Sequence, residues 1–318
     1  MNSINEDLIK KLKSVTPRKG ETVALLMEII SIGKEAAYRR LRGEIPFSLE
    51  EAVEISRKLG ISLDILSGTK QEDIFTFHLN AAHNEDPVKG YHRMITQIIK
   101  AMEAVRKDPK SFSCRAYRAL PQEFIFKYAS LSRIYIYVLL YQLNNGITPK
   151  ELLSIEIPEE LFSIQKKAAS SMQTIDSIVI LDKKAFIDYI EIAKYFHTLG
   201  IITHEDIAHI KRDILLMIND LEKCASTGLT IHKKKIDIYI CHISFDCTYT
   251  YVEGANLKAS SVGVYCVDHL SCINPEICEK HKSWIKALIR FSSLISVSGE
   301  LLRKEYFQNQ RQIVESML

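Results

Sequence analysis

Four cations crowd one short stretch of this chain. Lys34, Arg39, Arg40 and Arg42 fall within nine residues, opposed there by Glu35 alone. Cations packed this closely can release counterions from phosphates, and a guanidinium can take both acceptors on the edge of a guanine. Lys34, Glu35, Tyr38, Arg39 and Arg42 are the candidates for a DNA-facing surface, with Arg40 in the same basic cluster. Arg39 suits a base edge, whereas Lys34 and Arg42, at the two ends of the segment, suit phosphates. Tyr38 fits that surface and fits equally well packed inward beside Leu41. The following segment carries Glu50, Glu51 and Glu54, so the positive charge is confined to one rod and the acidic neighbour is expected to turn away.

A second set of chemically capable residues lies far downstream: Cys241, His242, Cys247, Cys266, His269, Cys272, Cys278 and His281. Zinc takes four thiolates or imidazoles, commonly arranged as closely spaced Cys pairs. Cys266-x2-His269-x2-Cys272 and Cys278-x2-His281 are suggestive, but the chain contains no CxxC, and Cys on a strand packs as a small hydrophobe. No metal is therefore assigned. His204 and His209 nearly spell a zinc-protease motif but stand five apart, about 140° around a helix, where they cannot share an ion as an i, i+4 pair does. Thr203-x-x-Asp206 instead marks a helix start. There is no glycine-rich phosphate loop and no nucleophile elbow. Asp237, Asp246 and Asp268 lie near strands without paired spacing, and Tyr128, Tyr135, Tyr137 and Tyr141 read as core. No enzyme class and no cofactor is indicated.

The elements around the basic segment are short and sharply punctuated. Residues 5–13 suit a helix, broken at Thr16-Pro17-Arg18-Lys19-Gly20. Val23 to Ile30 forms a second helix and Lys34 to Arg42 a third, stopped by Gly43. Ser48-Leu49-Glu50-Glu51 is a capping box for a fourth helix, with Leu49, Ala52, Val53 and Leu59 on its buried side and Ile55 near the seam. Ala37 and Leu41, four apart, should face the core, leaving the cations outward.

This punctuation resembles the lambda-repressor/Cro-like (XRE-type) helix-turn-helix family over about a fifth of the chain. The match is strongest in Arg42-Gly43-Glu44, Pro46, Ser48-Leu49-Glu50 and Lys58-Leu59-Gly60-Ile61-Ser62-Leu63-Asp64. In the first half the family usually carries a small residue at Met27, Gly at Ser31 and a polar residue near Val23. The resemblance implies a domain at 1–70 that lays Lys34–Arg42 along a DNA major groove.

Downstream, 71–110 reads as helical linker, with an amphipathic helix at 91–106. Residues 111–318 read as an α+β effector or dimerisation domain. It would hold strands at 111–118, 176–182, 232–252 and 257–267, helices between them and one long terminal helix from Asn274 to about Asn309. The expected fold is mainly α: an all-α head, then a larger α+β body with a small antiparallel sheet. The balance of 42 Lys and Arg against 39 Asp and Glu, net +3, gives no global pull toward nucleic acid, so attraction must be local. The most apolar run, Ile134 to Leu143, is about half the length that spans a bilayer. With no signal segment and seven Cys in no disulfide pattern, a cytoplasmic protein without membrane association is expected.

The sequence thus points to a DNA-binding transcriptional regulator acting on double-stranded DNA as a homodimer, with 91–106 and 283–309 as candidate dimer surfaces and a small-molecule or protein effector. The alternative is a small-molecule-binding protein or enzyme whose helical head mediates protein interaction.

Overall fold

A computed structural model describes residues 4–15, 19–59, 61, 63–66, 77–79, 86–143, 146–264 and 268–318. The chain divides into two compact units, Met1–Phe75 and Thr76–Leu318. The molecule is helix-rich with a sheet in its second unit.

The described residues of the first unit form α1 (Ile4–Val15), α2 (Lys19–Ile30), α3 (Lys34–Leu41), α4 (Leu49–Leu59) and α5 (Leu63–Leu66). Leu8 and Leu12, Val23 and Leu26, and Ala37 and Leu41 lie three or four apart on α1 to α3, so each helix turns one apolar stripe inward. Ile55 and Leu66 complete this core. The capping box of α4 forms: the Ser48 amide donates to Glu51 at 3.0 Å, and the Glu51 amide donates back to the Ser48 hydroxyl at 3.2 Å. Gly43 takes φ +78°, the left-handed residue that closes a helix. In the connection from α2 to α3 the positive φ, 51°, falls on Ser31, while Gly33 is extended. One expectation fails on α4. Leu49 is exposed and Ile55 is fully buried. Six residues place the two about 240° apart around the helix, so they cannot share a stripe. The break at 16–18, together with Gly60 and Ser62, lies outside the described residues.

The second unit runs β1 (His78–Leu79), α6 (Pro87–Val105), β2 (Phe112–Tyr117), α7 (Gln122–Ile125), α8 (Ala129–Leu143), α9 (Pro149–Ser154), α10 (Glu159–Ser171), β3 (Asp176–Asp182), α11 (Ala185–Thr198) and α12 (His204–Thr227). It continues through β4 (Ile236–Cys241), β5 (Tyr249–Gly254), β6 (Leu257–Val264), β7 (Asp268–Cys272), α13 (Pro275–Ala287), a 3-10 turn (Leu288–Phe291), β8 (Ser292–Leu294) and α14 (Glu300–Met317). The described strands make one sheet of eight in the order β1-β7-β6-β5-β2-β3-β4-β8. The small antiparallel sheet expected from the sequence is therefore corrected. β2, β3 and β4 are mutually parallel, and the remaining pairings are antiparallel. Parallel neighbours need long crossovers, which α7–α10 and α11–α12 supply. Strand β3 (DSIVILD) is apolar without alternation because both faces are covered: Val179 and Leu181 pack under the helices, and Ile180 packs in the cluster that includes Cys278 and Ile285 of α13.

Two further expectations change. The amphipathic helix in 71–110 is not a free spacer: Tyr91, Met94, Ile95 and Ile99 of α6 belong to the main core, and Met102 and Val105 to a smaller cluster beside it. Its stripe is thus covered and cannot serve as a dimer face. The long terminal helix is broken. Four serines and Gly299 between Phe291 and Glu300 weaken helix formation, and β8 pairs with β4 instead. Ile134 to Leu143 lies in α8, a core helix, and no described helix is long and apolar enough to cross a membrane.

Candidate nucleic-acid interface

Helix α3 is pinned from beneath. Ala37 is fully buried and Leu41 nearly so, both packed in the first unit's core. At about 100° per residue, Lys34, Tyr38, Arg42, Glu35 and Arg39 follow one another within an arc of roughly 140° on the opposite side. Lys34, Glu35, Arg39 and Arg42 are exposed, while Tyr38 is half-buried and packs against the core edge. Tyr38 therefore serves both purposes considered for it: its body supports the helix and part of its surface stays open.

Arg40 does not join this arc. It lies on the flank facing α4, where its guanidinium donates to both oxygens of Glu51 at 2.9 and 2.6 Å. Glu51 also accepts the Ser48 amide, so one carboxylate closes the α4 cap and ties α3 to it. Burial opposes ionisation of Glu51, but the hydrogen bonds from Arg40 and Ser48 outweigh it and hold its carboxyl below the ordinary range. Arg40 is a brace between helices, not a member of the exposed face.

The exposed arginines have a local partner the sequence reading overlooked. Glu44, just past Gly43, accepts from Arg42 Nε at 2.6 Å and lies 3.5 Å from Arg39 Nε. Glu35 adds a weaker contact to Arg42 at 3.4 Å. The hydrogen bond from Arg42 keeps the Glu44 carboxyl below its ordinary range. Glu44 stands in the quoted Arg42-Gly43-Glu44 motif, so its proximity was legible; its bridging role needed the turn geometry. The face thus presents Lys34, Arg39 and Arg42 with two carboxylates at its border. Phosphate or base edges would have to replace those carboxylates as acceptors for the guanidiniums.

No family model, curated protein or solved structure matches this chain. The function therefore rests on the residues themselves.

The cysteine and histidine residues do not converge. Among the described residues no three His, Cys, Asp or Glu side chains are grouped to hold a metal. Cys272 and Cys278 are buried in packing, and the Cys278 sulfur lies 3.4 Å from the Cys272 carbonyl. Burial pushes the Cys278 thiol up, away from the thiolate a metal needs. His269 is a strand residue and His281 a helix residue stacked near Tyr249; Cys266 lies outside the described residues. His204 sits at the start of α12, where Thr203 and Asp206 form a reciprocal cap.

Proposed function

We propose that this protein is a sequence-specific DNA-binding transcriptional regulator of the helix-turn-helix kind, with a second unit that senses an effector or dimerises. The observation that carries it is the split of α3: Ala37 and Leu41 anchor one side, and Lys34, Arg39 and Arg42 stand exposed on the other. A short rod of this shape fits a major groove. Arg39, near the middle of the outward arc, takes the guanine-reading role, and Lys34 and Arg42 hold phosphates on either side. Glu35 and Tyr38 border the same groove. The action needs no catalysis and no cofactor, and its setting is the cytoplasm.

One module contacts few base pairs, so two copies on paired half-sites give the reach that specificity needs. Selection of bound duplexes from a random pool tests this directly. The expected outcome is an enriched motif containing guanine, repeated about 10 base pairs apart where the protein binds as a dimer. A pool left unenriched after repeated rounds contradicts it.

A further inference from the structure

The second unit holds a partly open cavity of about 40 Å³, well away in sequence from α3. Its walls are aromatic. Tyr91 of α6, Tyr117 at the end of β2, Phe126 after α7 and Tyr135 of α8 all line it, and each is at least nine-tenths buried. Opposite them Asp268, the first residue of β7, is 2% exposed, and its carboxylate accepts the His269 amide at 2.7 Å. Gln122, half-buried at the start of α7, stands at the rim.

The charge of this lining is one-sided. It contains one carboxylate and neither Lys nor Arg. Burial pushes the His269 imidazole below its ordinary value, so it adds no positive charge at neutral pH. The buried guanidinium of Arg115, on the strand that carries Tyr117, is taken up elsewhere by Glu123, Ser113 and the Met172 carbonyl. Aromatic faces with a carboxylate are the surroundings that attract an organic cation, through ring quadrupole and charge together. An anion would meet only repulsion here.

The position points the same way. The cavity opens at the carboxyl end of β2, the strand where the parallel part of the sheet meets the antiparallel part. Crevices at the carboxyl ends of parallel strands are where open α/β sheets take ligands. The volume limits what enters: one enclosed water needs roughly 10–15 Å³, so there is space for about three water-sized groups.

We infer that this cavity binds a small alkylammonium head group, its charge toward Asp268 and its carbons against the four rings. Binding of this kind is independent of what α3 does, so it stands or falls apart from the DNA proposal.

The test is calorimetric titration of the full-length protein with methylammonium and tetramethylammonium chloride, against sodium chloride and sodium acetate at equal ionic strength. Saturable heat is expected with at least one alkylammonium and none with acetate. Asp268→Asn should weaken binding tenfold or more, and Gln122→Lys, which sets a cation at the rim, should do the same. If circular dichroism shows that Asp268→Asn does not fold, Gln122→Lys decides the question. Absence of saturation with both cations, equal binding of acetate, or wild-type affinity in the folded variants would overturn the inference.

Discussion

Glu44 sets the balance of the exposed arc, because a single carboxylate sits between the Nε atoms of Arg42 and Arg39. If that arc binds DNA, Glu44 competes with phosphate for both guanidiniums and restrains indiscriminate binding. Glu44→Gln should therefore tighten binding to random-sequence duplex at low salt by several-fold and narrow the gap between specific and random sites. Competition binding with a selected site and a random duplex checks this; an unchanged ratio counts against the role. At this scale the sequence was informative about which residues stand out. Ala37 and Leu41 are buried as their four-residue spacing requires, and Lys34, Arg39 and Arg42 are exposed. It was less informative about Arg40, which charge counting placed with its neighbours. Helical phase puts Arg40 about 240° from Lys34, on the α4 flank, so rotation and not composition held that signal.

Arg40 belongs to the scale of elements. It joins α3 to α4 through Glu51, with both side chains largely buried. Removing it leaves a carboxylate that keeps only its cap contacts. Arg40→Ala should cost the first unit about 1–2 kcal/mol, since the pair is charged but not wholly removed from water. Thermal unfolding followed by circular dichroism measures this. The pH dependence has a definite sign. The folded Glu51 carboxyl titrates below its unfolded value of about 4.3, so the stability it lends is fully present above that pH and is lost as pH falls through the lowered folded value. Arg40→Ala should flatten this acid-side loss, and an identical slope in the two proteins would count against it. Elements were unevenly legible. The Ser48 and Thr203 caps and the β5–β6 hairpin around Ala255-Asn256 follow from local residues and are present. The parallel arrangement of β2, β3 and β4 was not legible, because pairing between strands 60 residues apart leaves only an apolar run in each. The terminal helix failed for the same reason: pairing of β8 with β4 overrides a local apolar pattern.

The two units have separate cores, one built from α1–α5 and the other from α6 onward. Each should unfold as its own cooperative step. The second unit contains an ion pair shut away from water, Arg115 with Glu123, with Tyr117 also donating to Glu123. Glu123→Ala should lower the stability of that unit by about 3–5 kcal/mol, because it leaves a buried guanidinium without its counter-charge. In differential scanning calorimetry the transition of the second unit should shift and that of the first should not; a common shift would mean that the units unfold together. For the molecule as a whole, the central claim is that α3 is a DNA-reading rod. The most direct measurement is the affinity of full-length protein and of the Arg39→Ala, Arg42→Ala double variant for a selected duplex across a series of salt concentrations. The wild type should show a steep fall of affinity with salt. The double variant should bind at least tenfold more weakly at the lowest salt, with a slope shallower by about one for each phosphate contact removed. Equal affinity and equal slope in the two proteins would contradict it.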